Sequence, residues 1–261
     1  MRKIIFIYLF LMTVNLSSIN AAVLVGYWPF EESSGTTVND QSGFNNNGQL
    51  TGDASRSAGK VGQGLLLDGI GGVNIPHSPS LDSLPGGFTM EAWIKPTEFP
   101  DFTTIFWKTD RHNRIHMLHF QVDGRLYAAM NKEKPSGGFE GIAPETVGLN
   151  EWHFVAWTYD DSVERLWDDG VEVFEAPFTQ PWVGNDINLL IGYHPEINSA
   201  NFRGVIDEAR IYRGALTQDE IIRDMNLVPE PSTFFLLALG ILGIQFSRNR
   251  ENSSLSSASF C

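Results

Sequence analysis

Residues able to do chemistry are unevenly spread along this chain. Trp107, Trp167 and Trp182 stand apart from the clearest apolar motifs, beside stretches rich in polar residues. A tryptophan in such a setting can stack on the C–H patch of a sugar while neighbouring side chains take its hydroxyls. The segment 108–116 offers partners of that kind next to Trp107, namely Lys108, Asp110, Arg111, His112, Asn113 and Arg114. The candidate ligand-binding residues are therefore Trp107, Arg111, His112 and Trp182. Tryptophans also fill the cores of β structures. That second reading is given to Trp93, Trp152 and Trp157, and both readings stand for Trp107 and Trp182.

Other reactive residue types converge less well. His112, His116 and His119 have i, i+4 and i, i+3 spacings, which would align them on a helix. The residues around them read as loop and strand instead, where His112 and His116 share a face and His119 does not. A retaining glycoside hydrolase needs two carboxylates about 5 Å apart, supplied on a strand by alternate acidic residues. No Glu-x-Asp occurs in the sequence, and the neighbours Asp207 and Glu208 would point to opposite faces of a regular strand. There is no Gly-x-Ser-x-Gly elbow, and the glycine-rich run 69–72 has no helix after it to cradle a phosphate. No catalytic residue is assigned, and the expected class is noncatalytic.

Strands must position these residues. Short β segments are expected at 23–30, 64–67, 88–94, 115–122, 126–130, 152–159, 165–167, 171–174, 188–191 and 204–212, bounded by Gly, Pro, Asn and Asp clusters. Asp123-Gly124 and Asp169-Gly170 each predict a tight type I′ hairpin. The one clear helical stretch is 217–225, where Thr217 can cap and Glu220 stands three residues on, as in a capping box. Many evenly spaced strands with almost no helix predict an all-β, two-sheet antiparallel sandwich with a short C-terminal helix.

Five segments in register carry a resemblance: GYWPFEESSGTTVNDQSGFNNNGQL, FTMEAWIKP, EWHFVAWTYD, RLWDDGVEV and FRGVIDEARIYRGALTQDEI. Together they resemble the laminin-G-like jelly roll of the concanavalin A-like lectin/glucanase superfamily, over about 24–225. The resemblance implies two curved antiparallel sheets with the first and last strands paired. It also implies a structural calcium near those strands, with Asp207 as the last-strand ligand, Asp40 in the early loop, and Glu31 as a further oxygen donor. The bland alternative makes Asp40 a turn cap and pairs Asp207 with Arg210 or Arg213. Relatives include hydrolases and protein-binding domains. Carbohydrate recognition is therefore set beside a protein-adhesion or structural surface domain and a divergent glycoside hydrolase.

Both ends of the chain read as targeting segments. Arg2 and Lys3 precede an apolar run at 4–14 and then Ala21-Ala22, the order of a secretory signal peptide, so 1–22 is assigned to it. Val228, Pro229, Glu230 and Pro231 precede an uncharged apolar run at 234–246 and then Arg248 and Arg250. The run approaches the length of a membrane span, with a basic flank beyond it. This order resembles the PEP-CTERM sorting signal of Gram-negative bacteria. It implies an inner-membrane intermediate, cutting by an exosortase, delivery to the outer surface or extracellular matrix, and an exopolysaccharide as the kind of glycan met there. The boundaries are 23–227 for the jelly roll, 228–250 for the sorting signal with its transmembrane segment, and 251–261 for a polar tail.

Between the targeting segments 14 of the 18 basic and 29 of the 31 acidic residues remain, a net charge of −15. Such a surface repels a phosphate backbone, which excludes nucleic acid as a partner. The only cysteine is Cys261, so the folded part has no disulfide and must be held by its core.

Overall fold

The computed structural model describes residues 21–109, 117–130, 138–180 and 184–227. In chain order the strands are β1 (Val23–Trp28), β2 (Thr37–Val38), β3 (Gly48–Leu50), β4 (Ser55–Ala58), β5 (Gln63–Asp68), β6 (Val73–Ile75), β7 (Phe88–Pro96) and β8 (Thr103–Trp107). They continue with β9 (Met117–Phe120), β10 (Arg125–Met130), β11 (Phe139–Thr146), β12 (His153–Tyr159), β13 (Val163–Asp168), β14 (Val171–Pro177), β15 (Leu189–Ile191) and β16 (Arg203–Arg213). Two helices, α1 (Pro79–Asp82) and α2 (Gln218–Met225), complete the set, with a 3-10 turn at Asn198–Ala200. The first sheet runs β14-β13-β12-β7-β16-β5-β4, with β1 also on β16; the second runs β11-β10-β9-β8-β15-β6-β3-β2. All pairs given for these strands are antiparallel, and β1 lies against β16 from Val23↔Arg213 to Trp28↔Ala209.

Period-two alternation divides each strand between two environments. Phe88, Met90, Ala92 and Ile94 of β7, Val155, Trp157 and Tyr159 of β12, and Leu126, Ala128 and Met130 of β10 share the core between the sheets. The opposite parity of the first sheet supplies Trp93, Phe154, Ala156, Trp167 and Tyr212 to a second cluster, closed by Leu216 and Ile221 of the α2 region. Trp93 thus lies outside the inter-sheet core, and Trp152 packs against the same second cluster. Trp167 is buried there too, with its Nε1 donating to Thr158 Oγ1 at 3.0 Å, so it is no ligand platform.

Local signals were met at α2 and at one hairpin. Thr217 and Glu220 form the reciprocal capping box, and Asp169 and Gly170 both have positive φ, as a type I′ turn requires. The Asp123-Gly124 expectation is corrected. β9 and β10 are joined by the four residues 121–124, Gly124 N–H donates to Gln121 O at 2.8 Å, and only Gly124 of the pair is left-handed. Strands β8 and β11 were not expected; β8 borders the cleft described next, and β11 pairs with β10 beside it.

Candidate functional site

On the second sheet, the residues facing away from the core form two cross-strand rows. Trp107 of β8, Met117 of β9, Ala129 of β10 and Glu140 of β11 are register partners in turn. His119, Tyr127 and Ile142 make the adjacent row. The His119 ring stacks on Tyr127 at 4.4 Å and 12°, and Phe102 meets His119 edge-on at 5.4 Å. Glu140 accepts a hydrogen bond from the Tyr127 hydroxyl, which anchors the phenol from the side.

A wall rises over these rows from the segment after β15. His194 lies 4.0 Å from the Trp107 ring, and its Nδ1 accepts backbone N–H bonds from Glu196 and Ile197, both at 3.1 Å. Those two donors leave the proton of a neutral ring on Nε2. Asn201 ties the wall down, its Oδ1 accepting from His194 N–H at 2.8 Å and its Nδ2 donating to Gly69 O at 2.9 Å. Between wall and sheet lies a cleft of about 180 Å³, lined by Phe102, Trp107, His119, Tyr127, His194 and Ile197, with Met117 and Ala200 deeper. The Trp107 Nε1–H is buried without a hydrogen-bond partner among the described residues. A larger cavity, about 380 Å³, has Ala21, Arg213 and Asp160 in its walls but no aromatic ring.

Trp107 is thus the one expected ligand-binding residue that the described structure places in a cleft. Arg111, His112 and Trp182 lie outside the described residues, as do the sorting-motif residues Val228, Pro229, Glu230, Pro231, Arg248 and Arg250. Lys108 is not available to a ligand. It is buried, and its Nζ donates to Asp82 Oδ1 at 2.7 Å and to the carbonyls of Asn185 and Ile187. Burial pulls its pKa below the usual ammonium range against the pull of Asp82. Sequence reasoning missed Phe102, Tyr127 and His194, and it weighed His119 only for a zinc role, which it set aside. The parity of Leu118-Phe120 and Leu126-Ala128-Met130 could have placed Met117, His119 and Tyr127 together on the outer face.

Glu31, Asp40 and Asp207 do not meet as a ligand set. Asp40 accepts four hydrogen bonds, from Tyr27 N at 2.9 Å and from Ser42 N, Ser42 Oγ and Asn46 N, each at 2.8 Å. It caps the loop that Asn46 docks onto β1 through Val25 O. Asp207 is fully buried, accepting from Val61 N at 2.9 Å and Glu208 N at 2.8 Å, and Glu31 accepts from Gln63 N at 3.0 Å. Backbone N–H groups aimed at a carboxylate present the positive ends of their dipoles where calcium would sit. Among the described residues these three carboxylates do not converge on one point. Burial raises the Asp207 pKa to about 7.

Two readings around Asp207 are corrected. A bulge interrupts β16 between Asp207 and Arg210, with Glu208 left-handed at φ 53°, so simple alternation does not apply there. The two carboxylates still have separate partners, and it is Glu208, with Glu91, that faces Arg210. Glu208 also accepts from the Tyr27 hydroxyl at 2.8 Å.

Two stacked antiparallel sheets with an aromatic cleft on one outer face define a jelly-roll sandwich. The chain belongs to the concanavalin A-like lectin/glucanases superfamily, whose family profile matches residues 67–222. A PEP-CTERM protein-sorting motif matches 227–250. No curated protein matches the chain.

Among solved structures it is similar to domain 4 of AbnA, a GH43 extracellular arabinanase from Geobacillus stearothermophilus in complex with arabinotriose. That likeness has a TM-score of 0.65 and 22% identity, over 78% of this chain and 98% of that one. It is also similar to the binding domain of Paraclostridial Mosquitocidal Protein 1, with a TM-score of 0.64 and 17% identity over 77% of this chain. A third similar structure is the binding domain of botulinum neurotoxin DC in complex with SialylT, with a TM-score of 0.62 and 11% identity over 80% of this chain. The chain spans about half of the two toxin domains, 51% and 52%.

Proposed function

We propose that this protein is an exported, noncatalytic binding module that recognises carbohydrate, in its setting an exopolysaccharide at the cell surface, through the Trp107–Tyr127–His194 cleft. The observation that carries the reading is the concentration of aromatic rings on an outward-facing sheet surface. Apolar sugar faces stack on such rings while an indole N–H such as that of Trp107 takes a hydroxyl. The arabinotriose and SialylT complexes of similar domains support a glycan as the ligand class. The noncatalytic part rests on the lining. None of the described residues bordering the cleft is a carboxylate, and Glu140 is engaged by Tyr127, whereas hydrolysis needs two free carboxylates flanking the bond. The sorting motif supports export, an inner-membrane intermediate and exosortase processing in a Gram-negative cell.

A glycan array followed by calorimetry on residues 23–227 tests the reading. Wild type binds at least one oligosaccharide class, and Trp107→Ala weakens it by about tenfold, the worth of one aromatic stack near 1.5 kcal/mol, with its circular dichroism unchanged. Equal binding by wild type and Trp107→Ala moves the site elsewhere. Binding of proteins but no glycan favours adhesion, and sustained release of reducing sugar overturns the noncatalytic reading.

A further inference from the structure

We infer that His153, Asp168 and Asp169 form a binding site for a divalent first-row metal ion of the Zn2+ type, on the first sheet and separate from the cleft. His153 opens β12, Asp168 closes β13, and Asp169 is the first residue of the two-residue turn into β14. Each offers one donor atom, and these atoms all lie within 4.8 Å of one another; among the described residues no other three His, Cys, Asp or Glu do so. The turn fixes this arrangement. Asp169 N–H donates to Phe154 O and Asp169 Oδ1 accepts from Phe154 N–H, both at 2.8 Å, which leaves Oδ2 turned towards the imidazole.

Distances favour a cation over a single proton. His153 Nδ1 stands 3.2 Å from Asp168 Oδ1 and 3.3 Å from Asp169 Oδ2. A charge-assisted N–H···O bond closes to about 2.7–2.9 Å, and one Nδ1 proton cannot point along both vectors. Two ligands bound at about 2.0–2.1 Å with a tetrahedral angle between them are instead separated by about 3.3–3.4 Å. One imidazole with two carboxylates suits zinc or manganese, while calcium selects oxygen alone. Both carboxylates face the same imidazole nitrogen, so one ion between them would touch all three side chains. The Asp168 and Asp169 side chains are 25% and 47% exposed, which leaves open positions for water ligands. A bound ion would clip the start of β12 to the β13–β14 turn, onto which α2 packs through Gln218 Nε2 and Gly170 O at 2.9 Å.

Calorimetric titration of the tag-free full-length chain in detergent, stripped with chelator and held at pH 8, tests this site with Zn2+, Mn2+ and Ca2+ as probes. One Zn2+ binds per chain, Mn2+ binds more weakly as the divalent affinity order requires, and Ca2+ gives no heat that depends on His153. Asp168→Asn weakens Zn2+ by about tenfold or more, the loss of one anionic ligand exceeding a lost outer contact, and His153→Gln abolishes it. The visible spectrum of bound Co2+ reports loss of the nitrogen ligand in His153→Gln independently of affinity. If His153→Gln fails to fold, Asp168→Asn and Asp169→Asn decide, because asparagine keeps the shape and tolerates the turn. No Zn2+ binding by wild type, or unchanged binding in the variants, overturns the site and leaves a charge clamp.

Discussion

Glu164 is fully buried between the sheets, on the same face of β13 as Leu166. Its Oε2 accepts from Trp157 Nε1, and its Oε1 has no partner among the described residues. Burial, with a little help from Asp160, drives its pKa well above the ordinary carboxyl range. The folded state thus binds a proton that the unfolded chain releases near pH 4.5. Its contribution is fully present below that value and is lost as pH rises towards the folded pKa. Glu164→Gln keeps the acceptor without the titration. The melting temperature of the variant minus that of wild type should therefore grow between pH 5 and pH 8, and a difference independent of pH would refute the assignment. Asp40 offers a second check. Asp40→Ala removes four hydrogen bonds and should cost about 2 kcal/mol, whether calcium or EDTA is present. A calcium-dependent rise in wild-type melting that disappears in Asp40→Ala would instead support the calcium site implied by the resemblance.

Elements were legible where their own residues carried the signal. The capping box at Thr217 and Glu220 lies within one turn, and the helix followed from it. Thr217→Ala should cost about 1 kcal/mol, read as a lower denaturation midpoint with unchanged m-value. More is at stake than helix ends, because α2 lids the cluster of Trp93, Phe154 and Trp167. A Cβ on Gly170 would stand 2.8 Å from Ile222 Cγ1, so helix and hairpin are fitted closely together. By contrast β11 alternates cleanly in burial from Phe139 to Ala143, yet Gly141 and Pro144 disguise it as loop. β8 ends on Trp107, and a strand ending on a tryptophan beside polar residues reads as easily as a loop anchor.

For the whole molecule, the PEP-CTERM motif at 227–250 implies export, and processing at both ends is open to test. The mature protein should begin near Ala22 or Val23 and end near the motif from Pro229 to Pro231, as intact-mass analysis of native material would report. Retention of residues 234–246 at steady state would refute cleavage and leave anchoring as the role of that segment. Among the described residues no helix is long and apolar enough to cross a membrane, and the candidate segment lies outside them.

By itself the sequence determined the all-β class, the antiparallel sandwich, the capped C-terminal helix and the sorting motif, while the pairing of the first and last strands was implied by the resemblance to the laminin-G-like jelly roll. Each is written in local periodicity, in a turn or cap, or in motifs held in order along the chain. Only the tertiary structure decided which surface can receive a ligand. Trp107 meets His194 across 87 residues of chain, and Tyr127 joins them through β9. Lys108 next door is consumed by Asp82 and Ile187. The same holds for Asp207: Arg210, one of the two arginines offered as its partner in the alternative to calcium, turns to Glu208 and Glu91 where a bulge breaks the strand's alternation. Long-range pairing and burial assign those partners, and neither has a spacing in the sequence that would reveal it.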